Sequence, residues 1–443
     1  MKGKDDEKPP FNMANSVRLV PGIYAACTER PTSNDGGGVH TLTDVLIAGG
    51  GLAGSAAAIQ LARIGFSVEL FERASFPREK PCGEGLMPAG VAALERIGLN
   101  ASAGAPFRGI RWHFRERVAE GRFPDVNGVP SLGRGLRRRD LDCALFELAA
   151  ETRNVTVYTR TPVEAPLMEL GRVVGLIVNG SPRRGRLVIG ADGAQSRLRH
   201  ALKLDMPSRP KRLGVCTHFR LAPGKATSDS VDVYLGRGFE LFATPLPRGE
   251  LALSGLVSVN ALGGRLEDQF RCLWTAQPHL AERLKGAEQV SEMLTISPVS
   301  GRARRRFLPG LVLLGDAAGF TDPITGGGMT QALLTAELLT QHVARRGQAA
   351  DDWLAEFDRE RETLLRDGRR VTALLLQLAK NPAFLSMAIE GMRRLPRFFS
   401  HLLGVAGFTR RLWTGGLARH MPEPAAERNF YPSLLLQKGD RAA

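Results

Sequence analysis

Three glycines, Gly49, Gly51 and Gly54, follow the spacing G-x-G-x-x-G, and an acidic residue, Glu72, stands 23 residues after the first of them. Glycine at 49 permits a tight turn, Gly51 lets the backbone approach a pyrophosphate, and Gly54 lets the following helix lie close to its strand. The pyrophosphate would then meet the positive end of the helix dipole. Ala53 belongs to the same turn. A carboxylate at Glu72, with Arg73 beside it as a further cofactor contact, would accept hydrogen bonds from a ribose and repel a 2′-phosphate. The ligand read from these residues is FAD or NAD rather than NADP.

Two later stretches carry more chemistry. In "GLVLLGDAAGFTDPITGGGMTQAL", Gly310 to Leu333, a carboxylate at Asp316 follows a buried apolar run, with small residues after it that leave room for a sugar-like chain. Pro323, Gly326, Gly327 and Gly328 then form a loop opening a helix that runs through Met329. Its amides and dipole would stabilise an anionic ring edge. In "GADGAQSRLR", Gly190 to Arg199, Asp192 follows the strand-like "RLVIGA".

Together the three motifs, in this order, resemble the para-hydroxybenzoate hydroxylase superfamily of flavoproteins, over about Thr43 to Arg419. The resemblance implies FAD, with Asp316 on its ribityl chain and the Pro323–Gly328 loop at its reactive ring. Asp192 is implied to serve FAD and NAD(P)H, the expected electron donor. Arg138, in "RRDLD", matches the family's Arg-x-x-Leu-Asp helix start near the cofactor; a solvated basic turn with Arg137 and Arg139 is the alternative.

Within the superfamily, "FPREKPCGEGLMP" resembles the geranylgeranyl reductase-like branch, including Lys80, Cys82, Gly83, Gly85 and Pro88. The resemblance implies a catalytic Cys82 near the flavin, whose thiol donates a proton or tunes the ring, with Lys80 favouring its thiolate. The alternative for Cys82 is a small buried hydrophobe filling a gap. The branch also tends to show Tyr-x-Trp-x-Phe-Pro, and halogenases show Trp-x-Trp-x-Ile-Pro. Anchored on Pro245, this chain has Glu240, Phe242 and Thr244 at those three positions. A halogenase is therefore not expected. The leading reading is hydrogenation of a C=C bond in a lipophilic substrate of isoprenoid, polyketide or quinone type. An FAD-dependent monooxygenase acting on a hydrophobic or aromatic compound is the second, and a non-catalytic FAD-binding sensor the third.

These groups need elements to hold them. "TDVLIAGGGLAGSAAAIQLARIGFSVELFERA" reads as a strand over 44–48, a small-residue helix over 55–64 and a strand over 67–71, a βαβ unit. No second unit with its own glycine fingerprint follows, so a separate NAD(P) domain is not expected. "HFRL", "SVDVYL", "FELFATPLP" and "ELALSGLVS" read as an antiparallel sheet, and the chain after Gly328 reads as helical. The expected fold is mixed α/β: a Rossmann-like FAD-binding domain over 43–210 and 295–345, with an antiparallel-sheet substrate domain over 211–294 inserted in it. Residues of about 100–130 contribute to that sheet, 346–443 form a helical C-terminal region, and 1–42 a disordered extension. Phe219, Tyr234, Phe239, Phe242 and Leu246 are candidates to line a substrate pocket roofed by the C-terminal helices; ordinary sheet core is the alternative. His218 and His113 are candidate acids.

The chain has 443 residues, enough for a large domain with a smaller companion. Its five cysteines are scattered and never arranged Cys-x-x-Cys, which argues against a disulfide framework, a zinc site or an iron–sulfur cluster, and no metal is expected. No run of about 18 uncharged apolar residues appears, and the start lacks a signal peptide's order, so a cytoplasmic protein is expected. The formal charge is +15, and residues 361–420 hold 11 Lys/Arg against 3 Asp/Glu. These basic residues alternate with apolar runs and no recognition motif accompanies them, which excludes nucleic acid as the expected partner. Peripheral contact with the inner membrane face through 361–420 is expected instead, against the alternative of helices packed on the body with their arginines solvated.

Overall fold

The structure, a computed structural model, describes residues 42–207, 212–225, 228–259, 264–346 and 351–412. The expected extension before Leu42 and the part of the basic C-terminal region after residue 412 lie outside them.

Two eight-stranded sheets organise the chain. The first centres on Thr43–Ala48, which pairs in parallel with Val68–Phe71 on one side and Ser181–Gly190 on the other. Val155–Tyr158 and Leu311–Leu313 extend it outward, also in parallel. Val45, Leu46 and Ile47 are fully buried, so neither face alternates, as expected of a parallel sheet covered on both sides. Helix α1, Leu52–Arg63, is built of alanine and small residues and packs against α7, Gly328–Arg346, and α3, Arg138–Glu151. Each aliphatic side chain sealed between these layers contributes about 1.5–3 kcal/mol. Helix α2, Pro88–Ile97, lies on α7, and the short α4, Arg197–Ala201, follows the Asp192 turn.

The second sheet is largely antiparallel: Arg212–Arg220, Glu250–Ser258, Phe239–Pro245 and Ser230–Gly236 in spatial order, then Gly109–Phe114 in parallel, then Arg117–Arg122. One face packs on α5, Leu266–Thr275, and α6, Pro278–Arg283, through Phe270, Leu280 and Leu284. The other looks toward the first sheet and the C-terminal helices α8, Leu354–Leu378, α9, Pro382–Arg394, and α10, Pro396–Ala406. Trp112 meets Phe399 there at 5.0 Å between ring centres. No helix among the described residues is long and apolar enough to cross a membrane. Cys82, Cys216 and Cys272 are free thiols.

Candidate active site

One cavity runs between the sheets, bounded by the Gly51–Ala53 turn, the Lys80–Gly85 segment, Asp316, the Pro323–Met329 loop and the inner face of the second sheet. Its glycines divide into two kinds. A Cβ on Gly49, whose φ is +103°, would lie 2.4 Å from the Ala191 carbonyl oxygen, and one on Gly54 would lie 1.9 Å from that of Gly49. Those two positions are closed by the chain itself. A Cβ on Gly51 would meet only the Arg78 guanidinium, at 3.5 Å, and one on Gly328 would meet nothing within 4 Å. Open space therefore lies against the first turn of α1, where no side chain caps the helix and its leading amides are free to bind an anion.

Glu72 is buried beside this turn, its Oε2 accepting from the Gly50 amide at 2.9 Å and its Oε1 from the Ala74 amide at 3.0 Å. The carboxylate thus braces the glycine turn itself. Arg73 is exposed and does not line the cavity; the arginine that does reach the turn is Arg78, 3.1 Å from Asp142 and 3.6 Å from Glu72. Sequence spacing passed over Arg78, although it lies within the quoted "FPREK" run.

Arg138 is buried and lines the cavity, so it is not a solvated turn. Its Nε and Nη2 donate to both oxygens of Asp142, at 2.8 and 2.9 Å. Burial alone would push the Asp142 carboxyl up, but the Arg138 ion pair overcomes it and holds that pKa below the usual carboxylate range. Asp192 accepts from the Leu198 amide at 3.3 Å and so caps α4, while its Oδ1 is buried without a partner. Arg199, at the end of the same motif, donates to the backbone carbonyls of Asp316 and Ala317 at 3.2 and 3.0 Å. That arginine ties the second motif to the third. The Asp316 side chain is 37 % exposed, with Lys80 Nζ at 3.9 Å. The Pro323–Gly328 loop turns through Gly326 at φ +69° and delivers Met329 to the start of α7.

Cys82 lines the same cavity, its Sγ accepting from the Glu84 amide at 3.3 Å. Burial raises its pKa, with Arg138 the opposing cation, so the expected thiolate favoured by Lys80 gives way to a thiol. Next to it, Glu84 is 1 % exposed and held at φ +58°, a conformation that non-glycine residues rarely adopt and that costs on the order of 1–3 kcal/mol. Its Oε2 lies 2.8 Å from His218 Nε2, and His218 Nδ1 lies 2.8 Å from the hydroxyl of half-buried Ser291. Arg137 stands 3.3 Å from the same Nδ1, and the Arg138 amide donates to Glu84 Oε1 at 3.1 Å. Glu84 is the acidic residue of the "CGEGL" run, and nothing in that spacing marks it for a role.

The second sheet sorts the other candidates by strand parity. Phe242 and Thr244 line the cavity, and Glu240 shares their face, buried against Arg212. Tyr234, Phe239 and Phe219 point the other way, into the cluster around α5 and α6, and are corrected from pocket to core. His113 also faces away, stacked on Tyr234 at 4.5 Å and bonded to Asp232 at 2.8 Å. His218 does not line the cavity but reaches its wall through Glu84. On the opposite side α8 and α10 close the chamber with Val371, Leu375, Phe399 and Leu402.

A sequence profile described as FAD binding domain matches residues 42–368. Menaquinone reductase of Mycobacterium tuberculosis is 30 % identical over 339 residues, 70 % of this chain and 79 % of that protein. Digeranylgeranylglycerophospholipid reductase 2 of Methanopyrus kandleri is 28 % identical over 331 residues, 71 % and 80 % of the two chains. Among solved structures, a flavoprotein/dehydrogenase from Cytophaga hutchinsonii superposes with a TM-score of 0.72 at 22 % identity, over 82 % of this chain and 92 % of that one, a likeness of fold. The extent of the profile match and the identity to the mycobacterial protein, on a fold with room for a dinucleotide against α1, establish that the chain belongs to the FAD binding domain family, the flavin-dependent oxidoreductases similar to para-hydroxybenzoate hydroxylase.

Proposed function

We propose that this chain hydrogenates a C=C bond of a lipophilic substrate, using FAD held along the cavity from Gly51 to Gly328 and NAD(P)H as electron donor. The observation that carries the reading is the meeting of a half-buried thiol, Cys82, and a buried Glu84–His218 pair on the wall between the Gly326–Gly328 loop and an apolar chamber. The relatives named as reductases of menaquinone and of a digeranylgeranyl lipid support it. In this reading Gly51 and the first amides of α1 take the pyrophosphate, Glu72 lies at the ribose, and Asp316 accepts from the ribityl chain. Asp192, through its unpartnered Oδ1, and Arg138 complete the cradle, with Ala53, Pro323, Gly327 and Met329 shaping its wall. FAD, when bound, supplies the hydride that one alkene carbon receives.

The other carbon needs a proton, and the chain holds two groups that can carry one. The Cys82 thiol stands at the wall, and Arg138 steadies the thiolate left when it gives up its proton. Glu84, through His218 and Ser291, links that wall to the half-buried side of the second sheet, so a proton can be restored without opening the chamber. Phe242, Trp112 and Phe399 exclude water from the reacting carbons. Cys82→Ser is expected to keep its flavin and slow substrate-driven flavin reoxidation about tenfold, a barrier change of about 1.4 kcal/mol. Rapid mixing of the anaerobically reduced variant measures this, and an unchanged rate would make Cys82 a packing residue.

Mass spectrometry separates the reaction types. Turnover of a menaquinone or a geranylgeranyl lipid under ¹⁸O₂ and under nitrogen is expected to give, in both, a product heavier by two hydrogens. Incorporation of ¹⁸O would assign a monooxygenase.

The corner of α9 and α10 is the membrane-facing surface in this reading. Phe384, Met387, Leu395 and Phe398 are 53 %, 66 %, 60 % and 54 % exposed, and Arg393, Arg394 and Arg397 stand out beside them, Glu390 pairing with the first two. Each basic residue near an anionic surface is worth about 1 kcal/mol, screened by salt. The protein is expected to cosediment with phosphatidylglycerol vesicles at low salt, to release at high salt, and to do so less with Phe398→Asp. Equal failure to bind anionic and neutral vesicles would contradict a peripheral location on the inner membrane face.

A further inference from the structure

The cavity extends beyond the glycine loop to a charge that the protein does not balance. Arg361, on α8, is 2 % exposed and lines the cavity together with Gln331 and Thr335 of α7. Its Nε and Nη1 are buried and have no hydrogen-bond partner. Two carboxylates lie near, but other arginines take them. Both oxygens of Asp358 accept from Arg306, at 2.6 and 2.8 Å, and Glu362 is held by Arg369 and, at 3.1 Å, by Arg306. Arg361 Nη1 is left 3.6 Å from Asp358 and 3.9 Å from Glu362, beyond hydrogen-bonding reach. Three guanidiniums face two carboxylates, which leaves one positive charge over. Burial, then repulsion from Arg306 and Arg369, pulls the Arg361 pKa down to about 10, so it is still cationic at neutral pH.

An uncompensated buried cation is costly unless something anionic shares the space. The polar side chains of Gln331 and Thr335 and the unsatisfied guanidinium border one end of a cavity that also runs past the apolar side chains of Phe242, Val371, Leu375 and Phe399. At a rise of about 1.5 Å per residue, Thr335 stands roughly 10 Å along α7 from Gly328. A ligand that filled both regions would be apolar where it crosses the reactive wall and negatively charged at the end beside α8. We propose that Arg361, with Gln331 and Thr335, forms a subsite for the anionic phosphate or carboxylate of an amphiphilic substrate. The inference rests on the proposed reduction of a lipophilic compound and narrows it to charged rather than neutral lipids.

The test compares geranylgeranyl phosphate, geranylgeraniol and inorganic phosphate as ligands of the FAD-loaded protein, followed by perturbation of the flavin spectrum and by calorimetry. The wild type is expected to bind geranylgeranyl phosphate at least about tenfold more tightly than the alcohol. In Arg361→Gln the two are expected to bind within about twofold of one another, with Arg361→Lys between. Equal wild-type affinities would overturn the subsite, as would a preference undiminished in Arg361→Gln. Inorganic phosphate binding as tightly as the amphiphile, and depending on Arg361, would overturn it too by making this a site for a free anion. If Arg361→Gln does not fold, the wild-type comparison and the lysine variant still decide. Reduction of both lipids without a binding preference would remove the subsite and leave the reductase; a preference without reduction of either would do the reverse.

Discussion

Gly51→Val is expected to be purified folded and without flavin. A Cβ there points into open cavity, with Arg78 at 3.5 Å as its nearest neighbour, so the added methyls displace the pyrophosphate rather than the chain. Gly54 gives the contrast: a Cβ 1.9 Å from the Gly49 carbonyl oxygen forces α1 off its strand, so Gly54→Val is expected to lose the fold along with the flavin. Flavin absorbance per protein and circular dichroism read the two effects apart. A fall to below about one tenth of wild-type occupancy at fixed protein and flavin is the expected size for Gly51→Val. Full flavin occupancy in that variant would refute the placing of the pyrophosphate beside α1.

Glu84→Gln is the second large effect. The amide keeps the shape and can still hydrogen-bond to His218 and the Arg138 amide, but it cannot pass a proton between His218 and the cavity. General acid–base groups are worth about 10²- to 10⁴-fold, so substrate-driven reoxidation of the reduced flavin is expected to slow by about 10²-fold. Reduction of the flavin by NAD(P)H, which needs no proton at this wall, is expected to be unchanged. His218→Gln is expected to act in the same direction, with flavin content intact. Equal rates for wild type and both variants in stopped-flow reoxidation would remove the pair from the chemistry.

The first sheet and its glycine turn were legible because their signals are local: an apolar strand, three glycines, a small-residue helix and an acidic residue within 30 residues. Asp316 and the Gly326–Gly328 loop were legible for the same reason. The second sheet was readable as a sheet but not by face. Ser230, Asp232 and Tyr234 alternate with Val231, Val233 and Leu235, but both sets are buried, so the alternation alone did not say that the valines face the cavity while Tyr234 faces α6. Aligning on Pro245 did find one face, since Glu240, Phe242 and Thr244 share parity. Glu84 and His218 are separated by 134 residues, and no spacing rule joins them. Arg361 resembled the exposed arginines around it; only the packing of α8 on α7 shows that it is sealed while Arg366 and Arg370 are not.

In the proposed function the reduced flavin of this protein delivers its electrons to a lipophilic C=C bond. Stopped-flow absorbance of the anaerobically reduced holoprotein mixed with geranylgeranyl phosphate, or with menaquinone if that is the better ligand, tests it most directly. Return of the oxidised flavin spectrum without oxygen is expected, with one saturated bond formed per flavin. A flavin that stays reduced with either compound until oxygen is admitted, and then yields an oxygenated product, would contradict it.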